Sequence, residues 1–376
     1  WTALSVSLGT VALVGLDSTI DFSASDVVVL LNLASGDSVG DGSGTAAAKL
    51  DWTSTAGLPV FVGLTELIEL KASGSVKLNV SGFVLASGAF DITKSTVATV
   101  DVDPGVGVDN LVDANLLSVS LIGVEVFAGT GGAFNPDNSI NTDSAIGFYV
   151  GSADLDLAVL TPAAPAVPVT PSDTRSWTAL SVSLGTVALV GLDSTIDFSA
   201  SDVVVLLNLA SGDSVGDGSG TAAAKLDWTS TAGLPVFAGL TELIELKASG
   251  SVKLNVSGFV LASGAFDITK STVASVDVDP GAGVDTLTDA NLLSVSLIGV
   301  EVFAGTGGAF NGDNTINTDS AIGFYVGSAD LDLAVLTPAA PAVPVTPSDT
   351  RSWTALSVSL GTVALVGLDS TIDFSA

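Results

Sequence analysis

The chain has no cysteine, no histidine and no methionine. That removes Ser-His and Cys-His nucleophile pairs, zinc fingers, iron–sulfur ligation and disulfides. Cations are scarce too: 10 Lys and Arg stand against 40 Asp and Glu, a net charge of −30. Nucleic acid needs a basic footprint, so it is excluded as a partner. No apolar run is long enough to span a bilayer as a helix, and no signal-peptide pattern lies within the sequence. What is present is apolar. Hydrophobic residues make up 47% of the 376 residues, with a mean hydropathy of +0.63. That fraction is too high for charge-driven disorder, so the chain is expected to bury a large core.

Self-similarity organises the rest. Trp1–Leu8 returns at Trp177–Leu184 and again at Trp353–Leu360, a period of 176. Copies 1–176 and 177–352 differ at seven aligned positions: Val62/Ala238, Thr99/Ser275, Val106/Ala282, Asn110/Thr286, Val112/Thr288, Pro136/Gly312 and Ser139/Thr315. A third copy begins at 353 and runs to 376. Each full copy carries 19 acidic and 5 basic residues, so the acidity belongs to the repeating unit. The expectation is a window on a longer array, for which length is a poor guide to domain count.

The unit reads as β: short apolar alternations, many β-branched residues, and Gly, Ser, Asn and Asp between them. Ile68 to Ser81 alternates cleanly, with Ile68, Leu70, Ala72, Val76, Leu78 and Val80 on one face and Glu69, Lys71, Ser73, Ser75, Lys77 and Asn79 on the other. At ~3.3 Å per residue it would span roughly 46 Å. Five segments alternate, slip by one residue, and alternate again in the opposite phase. The slips fall at Gly9-Thr10, Ser25-Asp26, Ser81-Gly82, Ile122-Gly123 and Gly151-Ser152. A slip would turn the apolar set outward unless the chain bends there, and small residues fit such a bend. Repeated bending around one interior predicts an all-β fold of stacked coils, a tandem-repeat β-solenoid continuous across the copies. Five rungs per copy would advance ~24 Å. The alternative is a string of β-sandwich domains.

Val27-Val28-Val29-Leu30-Leu31 is apolar on both faces, so a second layer must cover part of the sheet. Thr45 to Leu70, with Trp52 and Phe61, could supply it, and Thr65 to Leu70 is expected as a short helical turn. Four prolines of each copy gather at 161–173 and 337–349. Such stretches favour extended polyproline geometry and cannot be central strands, so they are expected as crossovers or linkers.

Three loops are rich in oxygen donors: 37–44, 101–109 and 135–143. Calcium takes six to eight oxygens from carboxylates, amides and carbonyls. Asp101, Asp103, Asp109, Asp137, Asn141 and Asp143 are therefore candidate calcium ligands, with Asp277, Asp279, Asp285, Asp313, Asn317 and Asp319 in the second copy. The same residue types make ordinary turns, and the loops lack the Gly and distal Glu of an EF-hand. No cofactor is required on this reading. Cations would also screen an array that self-repels. An enzyme would have to use carboxylates, as polysaccharide hydrolases do. Glu66, Glu69 and Glu125 are the glutamates of copy 1, and nothing marks a pair. The expectation is no enzymatic activity and no catalytic residue. Gly129-Thr130-Gly131-Gly132 lacks the Lys-Ser/Thr of a phosphate loop.

Leu116-Leu117-Ser118-Val119-Ser120-Leu121, the run Ile146 to Leu160 and the acidic, lysine-poor background resemble the repeat regions of giant bacterial secreted or surface proteins of the adhesin-like β-strand-repeat class. The resemblance covers the whole chain and is mostly compositional. It implies an extracellular or cell-surface fibre for adhesion, cell contact or matrix, often calcium-stabilised, whose partners are neighbouring repeats, bundled fibres and cations. The Gly-Gly-x-Gly-x-Asp series of calcium-binding nonapeptide repeats is absent. Two other functions follow from the rival readings: calcium- or glycan-binding sandwich domains, and a carboxylate hydrolase.

Overall fold

The computed structural model describes residues 1–376 except 14–18, 41–43, 104–108, 165–171, 193–195, 280, 282, 284, 340–348 and 369–374. The described residues form strands, turns and loops and contain no helix. None is therefore long and apolar enough to cross a membrane. The strands of copy 1 are β1 (Thr2–Ala12), β2 (Ile20–Leu33), β3 (Ile68–Val80), β4 (Val84–Asp101), β5 (Asn110–Thr130), β6 (Ala133–Phe134), β7 (Ile140–Asn141) and β8 (Ile146–Thr161). Copy 2 repeats them as β9 (Ser176–Val190), β10 (Ile196–Ser211), β11 (Ile244–Val256), β12 (Val260–Asp277), β13 (Thr286–Thr306), β14 (Ala309–Phe310), β15 (Ile316–Asn317) and β16 (Ile322–Thr337), and β17 (Trp353–Val366) opens the third.

Thirteen of these make one sheet in chain order: β1-β2-β3-β4-β5-β8-β9-β10-β11-β12-β13-β16-β17. It does not close into a barrel, since β1 and β17 each have one neighbour. Each copy gives six long strands where five rungs were expected. The ladder does not stop at a copy boundary: β8 of copy 1 neighbours β9 of copy 2. β16 pairs antiparallel with β17 from Leu336↔Trp353 to Gly323↔Val366. The prolines expected at the boundaries fall mostly at 165–171 and 340–348, outside the described residues.

The chain divides into two compact units: Trp1–Asn141 with Ser152–Val182 and Asn208–Glu242, and Thr142–Gly151 with Ser183–Leu207 and Leu243–Ala376. In the first unit, the two faces of β1–β5 differ sharply. One carries rows such as Val6↔Val29↔Ala72↔Ile92↔Val119 and Phe22↔Leu78↔Ala86↔Val126. The other carries Ser7↔Val28↔Ser73↔Asp91↔Ser120 and Ser23↔Lys77↔Ser87↔Glu125. Period-two alternation puts the apolar set on a single face.

Two of the phase slips, Ser25-Asp26 and Ile122-Gly123, are β-bulges within strands, not corners between two walls. Asp26 (φ 53°) and Gly123 (φ 59°) each take a left-handed conformation. The pairing skips at both points, from Ser25 to Val28 against β3 and from Ser87 to Ala89 against β5. A bulge adds a residue without turning the apolar set over, so one face stays apolar on both sides of it. The partner strand supplies a glycine to make room: a Cβ on Gly74 would lie 3.1 Å from Val27 Cγ2, and one on Gly88 2.9 Å from Val124 Cγ2.

Ser81-Gly82 differs. Both residues have positive φ, 54° and 67°, and Phe83 N donates to Val80 O at 2.9 Å. Two left-handed residues in succession reverse the chain in a three-residue loop closed by the pair Val80↔Val84, so the expected kink is the turn between β3 and β4. Thr65 to Leu70 is likewise not helical: Ile68 N donates to Thr65 O at 3.2 Å in a single turn, and β3 begins at Ile68.

The expected second layer is present. In the first unit Trp52 and Leu64 fold over Leu30, with Leu50, Phe61, Val28 and Ala3 around them. Trp52 and Phe61 meet edge to face at 5.8 Å. At the centre, buried Asn32 donates through Nδ2 to Leu50 O (2.8 Å) and Thr65 O (3.0 Å) and accepts from Trp52 Nε1 (3.0 Å). An amide buried this deep must have all of these partners, which fixes the loop on the strand. In the second unit Phe303, Leu261, Ile316 and Ala321 form a core beneath the β14–β15 hairpin, with Phe310, Tyr325 and Val366 against it.

Candidate functional site

The candidate calcium ligands sit where turns need them. Asp101 Oδ1 accepts from the amides of Asp103 and Asp109, both at 3.1 Å, which closes the loop after β4. Asp277 does the same for Asp279 (3.0 Å) and Asp285 (3.3 Å). Asp137 Oδ1 accepts from Ser139 N (3.1 Å) and Ser139 Oγ (2.6 Å). The Ser139 hydroxyl, then its amide, holds that carboxyl below its ordinary value, as Thr315 does for Asp313. Asn141 Nδ2 reaches Asn135 Oδ1 at 3.3 Å, and Asn317 Oδ1 accepts from Asp319 N at 2.9 Å. Asp143 lies in the loop that follows β7. The structure thus groups Asp101, Asp103 and Asp109 in one loop and Asp137, Asn141 and Asp143 in another. Among the described residues no three His, Cys, Asp or Glu converge as a metal-holding group. Residues 41–43 and 104–108 of the oxygen-rich loops lie outside the described residues.

Two of the three glutamates of copy 1 are also engaged. Glu69 Oε1 pairs with Lys94 Nζ at 2.6 Å, and Glu125 Oε2 accepts from Ile140 N at 2.6 Å. Glu125 borders an open groove of about 360 Å³ on the polar face, lined by Ser25, Ser75, Lys77, Ser87 and Ser139. Lys77 Nζ lies 4.5 Å from the Phe134 ring centre. A matching groove holds Lys253 and Glu301 in the second unit. There Tyr325 donates to Glu301 at 2.9 Å, and burial together with that bond pushes its phenol up to about 12.

The most elaborate cluster is one the sequence did not single out: Asp173-Thr174-Arg175-Ser176-Trp177, in the first unit. Arg175 Nη2 donates to Asp173 Oδ2 at 2.8 Å and Nε to Oδ1 at 3.1 Å, a two-pronged pair, while Nη1 pairs with Asp109. The guanidinium stands 5.4 Å from the Trp177 ring centre. Arg suits this place because its planar fork serves two carboxylates and an aromatic face at once. Burial opposes charge on Asp173, but its bonds to Arg175 and the cation's charge outweigh that and hold the carboxyl below its ordinary value. Trp177 Nε1 donates to Ala224 O at 2.8 Å, and Thr174 N to Asp213 O at 3.0 Å. The loop of copy 2 that carries Asp213, Ala224 and Phe237 therefore locks onto the start of β9, and Gly233 in it faces Val97 of β4.

Equivalent residues measure what this contact does. Trp177 is 0% exposed, whereas Trp1 is 65% exposed. Arg175 is 6% exposed at its side chain, and Arg351, with the same Asp and Trp partners, is 44% exposed. Leu226 and Phe237 are buried where Leu50 and Phe61 are only half-buried. Leu160, Ala158 and Val100 are buried where Leu336, Ala334 and Val276 are half-buried. The same side chains lose water only where material from the adjoining copy lies beside them. No protein-family model, curated protein or solved structure matches the chain. A signal for the cluster was present: Arg175 is the single Arg of copy 1, set between an Asp and a Trp at the copy boundary.

Proposed function

We propose that the chain is a structural, non-enzymatic segment of a long extracellular bacterial filament for adhesion, cell contact or matrix. Successive copies extend one sheet, in the manner of a solenoid rather than of sandwich domains strung on linkers. The observation that supports this most is the complete burial of Trp177, the first residue of copy 2, beside Arg175 of copy 1. A self-contained domain completes its own core, whereas a repeat array completes each core with its neighbour. The ladder from β8 to β9 and from β16 to β17 supports the same reading.

In this filament calcium and other cations serve as counter-ions to the acidic copies. Electron microscopy of the native assembly tests the proposal. Six strands per copy at ~4.8 Å predict a repeat of about 29 Å along the ladder direction. Separate beads joined by thin connections would refute it.

A further inference from the structure

One large apolar surface is left over after the caps are accounted for. In the first unit the rows Val6↔Val29↔Ala72↔Ile92↔Val119 and Phe22↔Leu78↔Ala86↔Val126 lie on the face opposite Asp91, Ser120, Lys77 and Glu125. In the second unit Ala248↔Ile268↔Val295↔Leu333↔Leu356 and Leu254↔Ala262↔Val302↔Val326↔Val363 repeat the arrangement. These rows contain no polar side chain; the row that borders them, Leu4↔Leu31↔Leu70↔Lys94↔Leu117, carries Lys94, neutralised by Glu69. Leu4, Leu8, Val11 and Leu117 on this face in the first unit, and Leu293, Leu297, Val358 and Leu360 in the second, are exposed. The Trp52 cap packs on the other face, over Leu30 and Asn32.

Five strands ~4.8 Å apart, apolar over about nine residues at ~3.3 Å each, make a face of roughly 700 Å² in the first unit alone. A soluble monomer seldom exposes a contiguous apolar patch above about 600 Å². Covering one such face with an equal one removes roughly 1,400 Å² from water, within the size of a stable protein interface. We propose that this face is covered by the same face of a second copy of this chain, two sheets stacking about 10 Å apart as in a sandwich. The arrangement is self-complementary: the apolar rows meet, and the carboxylates and lysines of the polar face stay in water. The stacking follows from the face itself and does not rest on the extracellular or filament reading.

The chain has no cysteine, so a single one reports on one face. The test compares Val119→Cys, on the apolar face, with Ser118→Cys, on the polar face, in the 376-residue chain, by maleimide labelling beside sedimentation velocity. The expected result is a dimer or larger assembly at micromolar concentration, with the thiol of the Val119→Cys variant labelled at least ten-fold more slowly than that of the Ser118→Cys variant. The double variant Val119→Lys with Val295→Lys should sediment as a monomer with an unchanged far-ultraviolet spectrum. If that variant fails to fold, the labelling ratio decides. A monomer that labels equally at both positions overturns the proposal. So does a chain that is monomeric alone but floats with phosphatidylcholine–phosphatidylglycerol vesicles, which would assign the face to lipid.

Discussion

Replacing Trp177 or Trp1 by alanine makes the same chemical change at two equivalent places. Both indoles donate through Nε1 to a loop carbonyl at 2.8 Å, Trp1 to Ala48 and Trp177 to Ala224. They differ in burial, 65% exposed against 0%. A Trp side chain presents up to about 250 Å². The difference is then about 160 Å², which at ~25 cal/mol/Å² is about 4 kcal/mol. Trp177→Ala also removes the ring under the Arg175 guanidinium, worth about 1 kcal/mol at a part-buried site. Trp177→Ala should therefore cost about 4–5 kcal/mol more than Trp1→Ala. Urea unfolding followed by far-ultraviolet circular dichroism reads both without depending on the deleted fluorophore. Amide exchange on β9 should locate the loss at the boundary between copies. Equal destabilisation by the two variants would refute the idea that one copy completes the core of the next.

Gly212→Ala should destabilise by roughly 1–3 kcal/mol more than Gly36→Ala, because both have positive φ but only at Gly212 would a Cβ come within 2.2 Å of Thr174 O; thermal melts of the two variants compare them. Asp173→Asn should unhook Arg175 and lower the unfolding midpoint at pH 7. Asp173 titrates below its ordinary value when folded, so its contribution is complete above about pH 5 and is lost as pH falls through the folded value. The gap between variant and parent should therefore narrow as pH falls below the ordinary carboxylate value. Raising NaCl from about 10 to about 200 mM should raise the unfolding midpoint of a chain of charge −30. CaCl₂ at matched ionic strength should add nothing if calcium acts as a counter-ion, whereas a further rise, with saturable calorimetric binding, would show that the Asp101 or Asp137 loops form a ligand set.

Strand content was legible because alternation is written directly into Ile68–Val80, and the structure makes β3 of those residues. The slips were legible as places where the chain departs from a flat strand, but their outcome was not. Ser25-Asp26 and Ser81-Gly82 look alike in the apolar pattern, since each separates two alternating runs. What divides them is how many successive residues turn left-handed. Asp26 does so alone and gives a bulge, while Ser81 and Gly82 both do so and reverse the chain. Propensity does not count such residues reliably, because Ser and Asp enter that region only where their neighbours force it. The partner glycines could have decided the matter. Gly74 and Gly88 lie opposite bulges at Val27 and Val124, but that pairing is visible only once register is known. The Arg175 cluster was hidden for a related reason: it brings together Asp109, Asp173 and Ala224 from three separate stretches of chain.

The placement of charge follows from the same two-faced sheet. A chain with an open apolar face risks unlimited association, and acidic loops oppose that. The opposition must be weak enough for stacking to proceed. Two sheets about 10 Å apart, each with most of its charged side chains on its outer side, keep those charges roughly 20 Å from one another. That exceeds the screening length of about 8 Å at physiological salt but falls inside the ~30 Å that applies at 0.01 M. The acidic side chains therefore repel strongly only in dilute salt. In ordinary salt the leucine and valine rows, which carry no charge, dominate the encounter. Lysine stays mostly on the sheet, where Lys71 meets Asp91 at 3.0 Å and Lys94 meets Glu69, so the few cations hold neighbouring strands together while many of the remaining acids sit in the loops.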